Sequence, residues 1–493
     1  MKNTTLKQFF NNIIVKNTLI LIICSLFVKG LGLINRIILT RMMGNVGISL
    51  YILSLPSISL FMSLAGFSLN IAMSKIVSEN NVKKQYSNKY LLKKAIQISL
   101  LTSFIMIMII FTIISPLTTK WLKQENSFYP ILSCVTFLPL VAVNNVMRGY
   151  LNGHNKINIS AYISVFEQTT RIIISIALII ICSPYGLIVT VTALVLSMGI
   201  GELLSLILSL FILRKFKIND NTSNKNPTKE IISIAVPTTL SRLISNFSIF
   251  LEPIIYTLAL TNISYNNNDI MYLYGEVNAY AIPLITMFTF IASSLATSII
   301  PIIAKNHVNN NNEYNNALIK KAIKLSLYPG ILISIILTFF SDELMQLIYH
   351  TTIGASYVKA FAFLFLFYYI QPPLVATLQA LGESKKIFTI SLITNIIKLT
   401  LIFSLVYVNQ IKHQSLILAM IISSTIATLA CYYAVKNKTG FKLTFNDYMK
   451  FIITSLISTL SALLFKQIFT NFIVAILAIS ISFILSITTL SDK

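Results

Sequence analysis

Acidic side chains are few in this chain: fifteen Asp and Glu stand against thirty-eight Lys and Arg, with only four His beside them. Charged residues together make up 11%, where soluble domains carry about 25%. With 55% hydrophobic residues and a mean hydropathy of +0.79, that shortage excludes a soluble fold. The four cysteines, Cys24, Cys134, Cys182 and Cys431, fall in apolar runs without metal-ligand spacing, so they read as small buried hydrophobes. No Gly-rich phosphate loop is present, which excludes ATP-driven transport by this chain alone. Asp342-Glu343 is the only adjacent acidic pair, and His154, His307, His350 and His413 stand apart, each read as solvated. That scarcity argues against a membrane-bound transferase, so the chain is expected not to be an enzyme.

Long apolar runs are what the chain has instead. Windows of about 20 residues, the length needed to cross a bilayer core, give about fourteen spans. The first follows Lys2, Lys7 and Lys16 without a small-residue cleavage site and reads as a retained anchor. Basic clusters at Lys83 to Lys94, Arg214 to Lys217, Lys320 to Lys324 and Lys436 to Lys442 fall on one side of those spans. This positive-inside bias places both termini in the cytoplasm of a bacterial cell membrane. Topology, not nucleic acid, then accounts for the net charge of +23. Asn runs such as Asn309 to Asn312 read as flexible loop reflecting an AT-rich genome.

An internal repeat sets the expected architecture. The segment from Tyr51 (YILSLPSISLFMSLAG) resembles that from Asn278 (NAYAIPLITMFTFIAS), placing Pro56 over Pro283 and Ala65 over Ala292. LNGHNK from Leu151 resembles LQALGESKK from Leu378, with Gly153 over Gly382, Lys156 over Lys385 and, after a two-residue slip, Arg171 over Lys398. The offset crosses the membrane six times, so the halves run parallel. The expectation is an all-α integral membrane protein of two six-helix lobes around a central cationic cavity. Residues 1–214 form the first lobe, 215–230 a cytoplasmic linker, 231–440 the second lobe and 441–493 two accessory helices. Pro56 and Pro283 are candidate hinges, since each removes a backbone donor in mid-span.

Ionisable residues inside the spans mark the candidate site. Burying one at membrane depth costs about 3 kcal/mol on insertion scales, so such groups face a cavity or a partner. Ser160, Ser164, Glu167, Arg171 and Ser175 form one stripe at helical spacing. Lys29, Gly32 and Arg36 share a face, and Arg242, Ser245, Asn246 and Glu252 an arc of about 120°. Lys398 lies beside Asn395, and Glu202 and Glu276 are further acids, Glu202 favoured for helix packing. Two readings stay open for Glu167 and Arg171, mutual pairing at i,i+4 or cavity lining. For Arg36 and Arg41 they are lining or snorkelling. A basic interior suits an anionic group, and arginine's planar fork suits phosphate.

KGLGLINRIILTRMMGNVGISLYILSLPSISL (from Lys29), RGYLNGHNK (from Arg148), VFEQTTRI (from Val165), AVPTTLSRLI (from Ala235) and YAIPLITMFTFIASSLATSIIPIIA (from Tyr280) carry a family resemblance. They resemble the stage V sporulation protein B group of polysaccharide-biosynthesis transporters. That group lies in the multidrug/oligosaccharidyl-lipid/polysaccharide flippase superfamily and is related to MurJ-type lipid II flippases. The resemblance implies fourteen helices and a cavity for the diphosphate-sugar head of an undecaprenyl-linked precursor, with lipid II for peptidoglycan the first candidate. On that analogy Arg36, Arg41, Arg171, Arg242 and Lys398 contact the headgroup, and Lys29 joins them from its position in the spans. Glu167, Glu252 and Glu276 are candidates for ion coupling or charge pairing, with membrane potential, H+ or Na+ as driving force and no cofactor. The expected partners are the lipid-linked oligosaccharide, the bilayer and cell-wall synthesis enzymes, with the protein a monomer. A cation-coupled multidrug exporter and a non-transporting scaffold for wall or sporulation machinery are the alternatives.

Overall fold

The computed structural model describes residues 13–154, 156–215, 226–308 and 312–491. Lys2 and Lys7, most of the expected linker at 215–230 and most of the Asn309–Asn312 run lie outside them. The described residues are helical throughout and contain no strand. In hydrocarbon, backbone N–H and C=O groups must be satisfied within their own segment, which is why apolar runs of this length become helices.

Among the described residues, eleven helices are long and apolar enough to cross a membrane. Two bent pairs, Glu125–Thr136 with Leu138–Gly153 (45°) and Asn267–Thr286 with Thr289–Ala304 (59°), bring the number to thirteen. One of the eleven, Phe27–Asn81, has 55 residues and would extend about 80 Å as a single helix, against a core of about 30 Å. It is broken at Gly44 (φ 63°, ψ −175°), a backbone conformation glycine adopts without steric penalty. The apolar windows gave about fourteen because they split this stretch into two spans.

By contact the chain divides into two compact units, Met1–Gly275 and Glu276–Lys493. Unit 1 holds helices α1 (Ile13–Gly66), α2 (Leu69–Lys83), α3 (Asn88–Pro116), α4 (Leu138–Gly153), α5 (Ile157–Cys182), α6 (Leu187–Lys215), α7 (Thr228–Asn262) and α8 (Asn267–Gly275). Unit 2 holds α9 (Thr289–Val308), α10 (Asn312–Phe339), α11 (Leu366–Ala380), α12 (Ser384–Leu405), α13 (Ser415–Thr439), α14 (Phe445–Ile468) and α15 (Phe472–Ser491). The division falls after α8, beyond the stretch 215–230 where the repeat suggested it. Helix α7 belongs with unit 1 because Ile231 and Ala235 enter the hydrocarbon cluster of Leu69, Met73, Tyr86 and Tyr150. Its first turn is tied there too, the Tyr86 hydroxyl donating to the Glu230 carboxylate at 2.5 Å. That bond pushes the Tyr86 hydroxyl up to about 12.

In unit 2, α14 and α15 pack Phe451, Ala462, Ala475, Ile479 and Phe483 against Leu327, Ile331 and Ile335 of α10. Thr444 and Asp447 cap α14 reciprocally, and Asp447 also meets Lys320 (2.6 Å) and Lys324 (2.9 Å).

The repeat is visible in the helix boundaries. Helix α4 ends at Gly153 and α5 starts at Ile157; α11 ends at Ala380 and α12 starts at Ser384, each 227 residues on. At that offset Arg171 falls on Lys398 with no slip and Gly153 falls on Ala380, while Gly382 is a turn residue of its own with φ 74°. The prolines match across the repeat but the bends do not. Pro56 lies within the helical run of α1 that follows the Gly44 break, a run that ends only at Phe67 and Ser68, with φ 45° each. Pro283 opens the short helix Ile282–Thr286 after a π-helical turn, Glu276–Ala281, and the chain bends just beyond it.

Candidate substrate and coupling site

Three helices of unit 1 bring four charges together. From α4 come Asn144 and Arg148, one turn apart; from α5 come Ser164, Glu167 and Arg171; from α6 come Glu202 and Ser205. The Glu167 carboxylate accepts from both arginines, through Oε2 from Arg148 Nη2 and through Oε1 from Arg171 Nη2 at 2.7 Å. Arg148 also donates to Ser164 Oγ at 3.1 Å and Ser205 Oγ at 3.3 Å. Glu202 sits 3.9 Å from Arg171 and accepts from Asn144 Nδ2 at 2.6 Å. Two guanidinium groups and two carboxylates make the set formally neutral, which is how charges are accommodated away from water. Removing one member would leave the others uncompensated. The Nε atoms of Arg148 and Arg171 are buried and carry no hydrogen bond among the described residues, leaving a donor on each.

A second polar group lies on α1, α7 and α8 of the same unit. The Tyr274 hydroxyl donates to Glu252 Oε1 at 3.3 Å, both side chains being buried, and Arg36 acts on that hydroxyl electrostatically. Tyr51 of α1 is buried and lies within electrostatic reach of both Arg36 and Arg171. Helices α1 and α5 are joined by Ser175 Oγ donating to Asn35 Oδ1 at 3.2 Å. Helices α1 and α7 are joined by Asn246 Nδ2 donating to Ser63 Oγ at 2.6 Å.

Of the residues expected from sequence, Glu167 and Arg171 pair in the first group, and Arg36 and Glu252 belong to the second, all within unit 1. Lys29, Arg41 and Arg242 belong to the same unit with exposed side chains. Glu276 and Lys398 are half-buried in unit 2. The Glu167–Arg171 pairing is present, but it is half of a larger constellation. Arg148 was missed as a site residue because it ends an apolar run and reads as the margin of a span. Its signal was Asn144, four residues earlier on the same helical face. Tyr51 and Tyr274 gave no signal, since tyrosines in apolar runs are common.

A repeated bundle of membrane-crossing helices with paired charges in its interior is the class of multi-span membrane protein that fold and site define. The chain belongs to the family described as polysaccharide biosynthesis protein, whose sequence profile matches residues 14–307. A second profile, described as MatE, matches residues 277–403. Stage V sporulation protein B of Bacillus subtilis (strain 168) is 31% identical over 428 residues, covering 84% of this chain and 82% of the relative. Lipid II flippase MurJ of the same organism is 25% identical over 170 residues, 32% of this chain and 31% of that one. A solved structure titled lipid II flippase MurJ in an inward closed conformation superposes with a TM-score of 0.74 at 17% identity, covering 96% of this chain and 98% of that one.

Proposed function

We propose that this protein is a flippase that carries an undecaprenyl-diphosphate-linked glycan across the cell membrane by alternating access, with lipid II the first candidate cargo. The observation that carries the reading is an imbalance. In the spans of unit 1, Arg148 and Arg171 are balanced by Glu167 and Glu202, whereas Lys29, Arg36, Arg41 and Arg242 stand against Glu252. An excess of fixed positive charge offsets the desolvation of a diphosphate, and the Nε donors of Arg148 and Arg171 add directional capacity. Kinship with stage V sporulation protein B, and more distantly with a lipid II flippase, supports the same class of cargo. Both termini are placed in the cytoplasm on the positive-inside pattern.

Coupling is assigned to the four-charge cluster. A proton taken by Glu167 or Glu202 turns the neutral set into one with net positive charge, so inward proton movement and anion binding reinforce each other. The test is rescue of a bacterium depleted of its own lipid II flippase by this chain, alongside Arg36→Ala at equal expression. Growth and outer-leaflet lipid II with the wild type, and neither with the variant, is expected. No rescue by either shifts the cargo to another polyprenyl-linked glycan, and equal rescue removes Arg36 from the site. A multidrug exporter is the second reading, favoured by the MatE match over residues 277–403. Cationic drugs suit a basic interior poorly, and drug efflux that improves in Arg36→Ala would favour it.

A further inference from the structure

A cavity of about 690 Å³ opens between two loops of unit 1, the segment after α3 and the α7–α8 connection. It lies at the opposite ends of α3 and α7 from the linker, which the charge pattern makes the external side. Its walls are rich in carboxamides: Gln124, Asn126, Asn266, Asn267 and Asn268. The charged groups are Lys123, Glu125 and Asp269, one positive and two negative.

The cavity is built, not merely left between loose loops. Gln124 is 94% buried, with 6% exposed; its Nε2 donates to Asn268 Oδ1 at 3.3 Å and sits 2.9 Å from Met271 Sδ, tying the two loops together. Its backbone N–H donates to the Thr118 carbonyl at 2.8 Å, and its carbonyl accepts from Ser127 N at 3.1 Å. Each loop also holds one non-glycine residue in the left-handed region, Lys123 at φ 50° and Ser264 at φ 69°. Such positions persist where surrounding structure fixes them.

The chemistry selects a ligand class. A carboxamide presents an acceptor and two donors, which matches hydroxyl groups that both give and receive hydrogen bonds. A net charge of −1 opposes phosphate or an anionic headgroup. The volume is that of a small-molecule site. We propose that this cavity binds a neutral glycan, a short oligosaccharide held by amide–hydroxyl hydrogen bonds. The inference does not depend on the arginine site or on the identity of the flipped lipid.

Trp121 is the chain's only tryptophan and lies between Thr119 and Lys123, two lining residues, so the protein carries its own reporter. The full chain in phosphatidylethanolamine–phosphatidylglycerol nanodiscs is titrated with N,N′-diacetylchitobiose, read by Trp121 emission and by saturation-transfer NMR. Saturable binding is expected, weakened at least about tenfold in Asn126→Ala/Asn267→Ala and unchanged in Arg36→Ala. Melting of the double variant within a few degrees of wild type shows that it is folded; Asn126→Asp, a milder change, is expected to weaken binding in the same direction. The proposal is overturned if neither readout saturates. It is overturned equally if inorganic phosphate or Ca2+ saturates where the disaccharide does not, or if the folded variants bind like wild type.

Discussion

The joint of α4, α5 and α6 in unit 1 and that of α11, α12 and α13 in unit 2 are repeat equivalents held by different forces. In unit 1 it is closed by Arg148, Glu167, Arg171 and Glu202. The residues 227 positions on are Val375, Thr394 and Lys398, and the turn matching Glu202 holds Thr428 and Leu429. Around them Leu374, Ala376, Leu378, Cys431 and Val435 form a hydrocarbon cluster. Thr394 bonds only along its own helix, to the Ile390 and Ser391 carbonyls, and Thr428 reaches the Phe367 carbonyl at 3.1 Å. At the positions equivalent to the unit 1 cluster, unit 2 keeps a single charged residue, Lys398, so the buried charges are not a requirement of the repeat as such. A buried ion pair is weak evidence for stability; its presence in one repeat and not the other points to use.

The comparison breaks most readily at Glu167. Glu167→Ala strands Arg148 and Arg171 and is expected to lower stability by about 3–5 kcal/mol, against under about 1 kcal/mol for Thr394→Ala. Equal falls in the unfolding of the purified protein would end the contrast. Next comes Gly149, where an added Cβ would lie 2.5 Å from the Asn70 carbonyl oxygen and 2.8 Å from Met73 Cβ. Gly149→Ala is expected to cost about 1–3 kcal/mol. Its equivalent, Ala376, already carries that methyl, and Ala376→Gly is expected to cost about 1 kcal/mol. Melting curves that rank the two the other way would show that the α2–α4 contact yields.

Grafting uncharged residues into unit 1, after the pattern of unit 2, sharpens the point further. Arg148→Val/Glu167→Thr/Arg171→Met/Glu202→Leu leaves no charge unpaired and is expected to stay within about 1–2 kcal/mol of wild type while losing rescue of the flippase-depleted strain. A graft that melts normally and still rescues would reduce the cluster to packing. The smallest effect is expected at Glu383, the residue before α12, where Lys438 at 2.9 Å and Lys386 at 3.2 Å hold the carboxyl below its ordinary 4.5. That contribution is present above the ordinary value and is lost as pH falls through the depressed one. Wild type and Glu383→Gln should therefore differ slightly in melting at pH 7 and converge in strong acid. The corresponding residue in unit 1 is Lys156, whose charge opposes a helix N-terminus, so Lys156→Gln should move stability upward.

Helix number and the parallel repeat were legible because period and length survive in composition. The pairing of Glu167 with Arg171 was legible because it is local to one helix. What joined α4 to α6 was not, because Arg148 and Glu202 lie far apart in sequence and each has an ordinary explanation alone. Asn266 to Asn268 were hidden differently: an AT-rich bias explains asparagine runs so well that a lining role leaves no trace. Gly153 was set against Gly382 because glycines attract alignment, although only the second has a left-handed backbone.

The fastening of Tyr86 to Glu230 changes what the linker is. Both of its flanking helices, α6 and α7, belong to unit 1, so that stretch of sequence does not divide the two bodies. The covalent passage to the other body is made once, from Gly275 to Glu276. A ribosome must therefore have delivered α8 before the first body has all its parts.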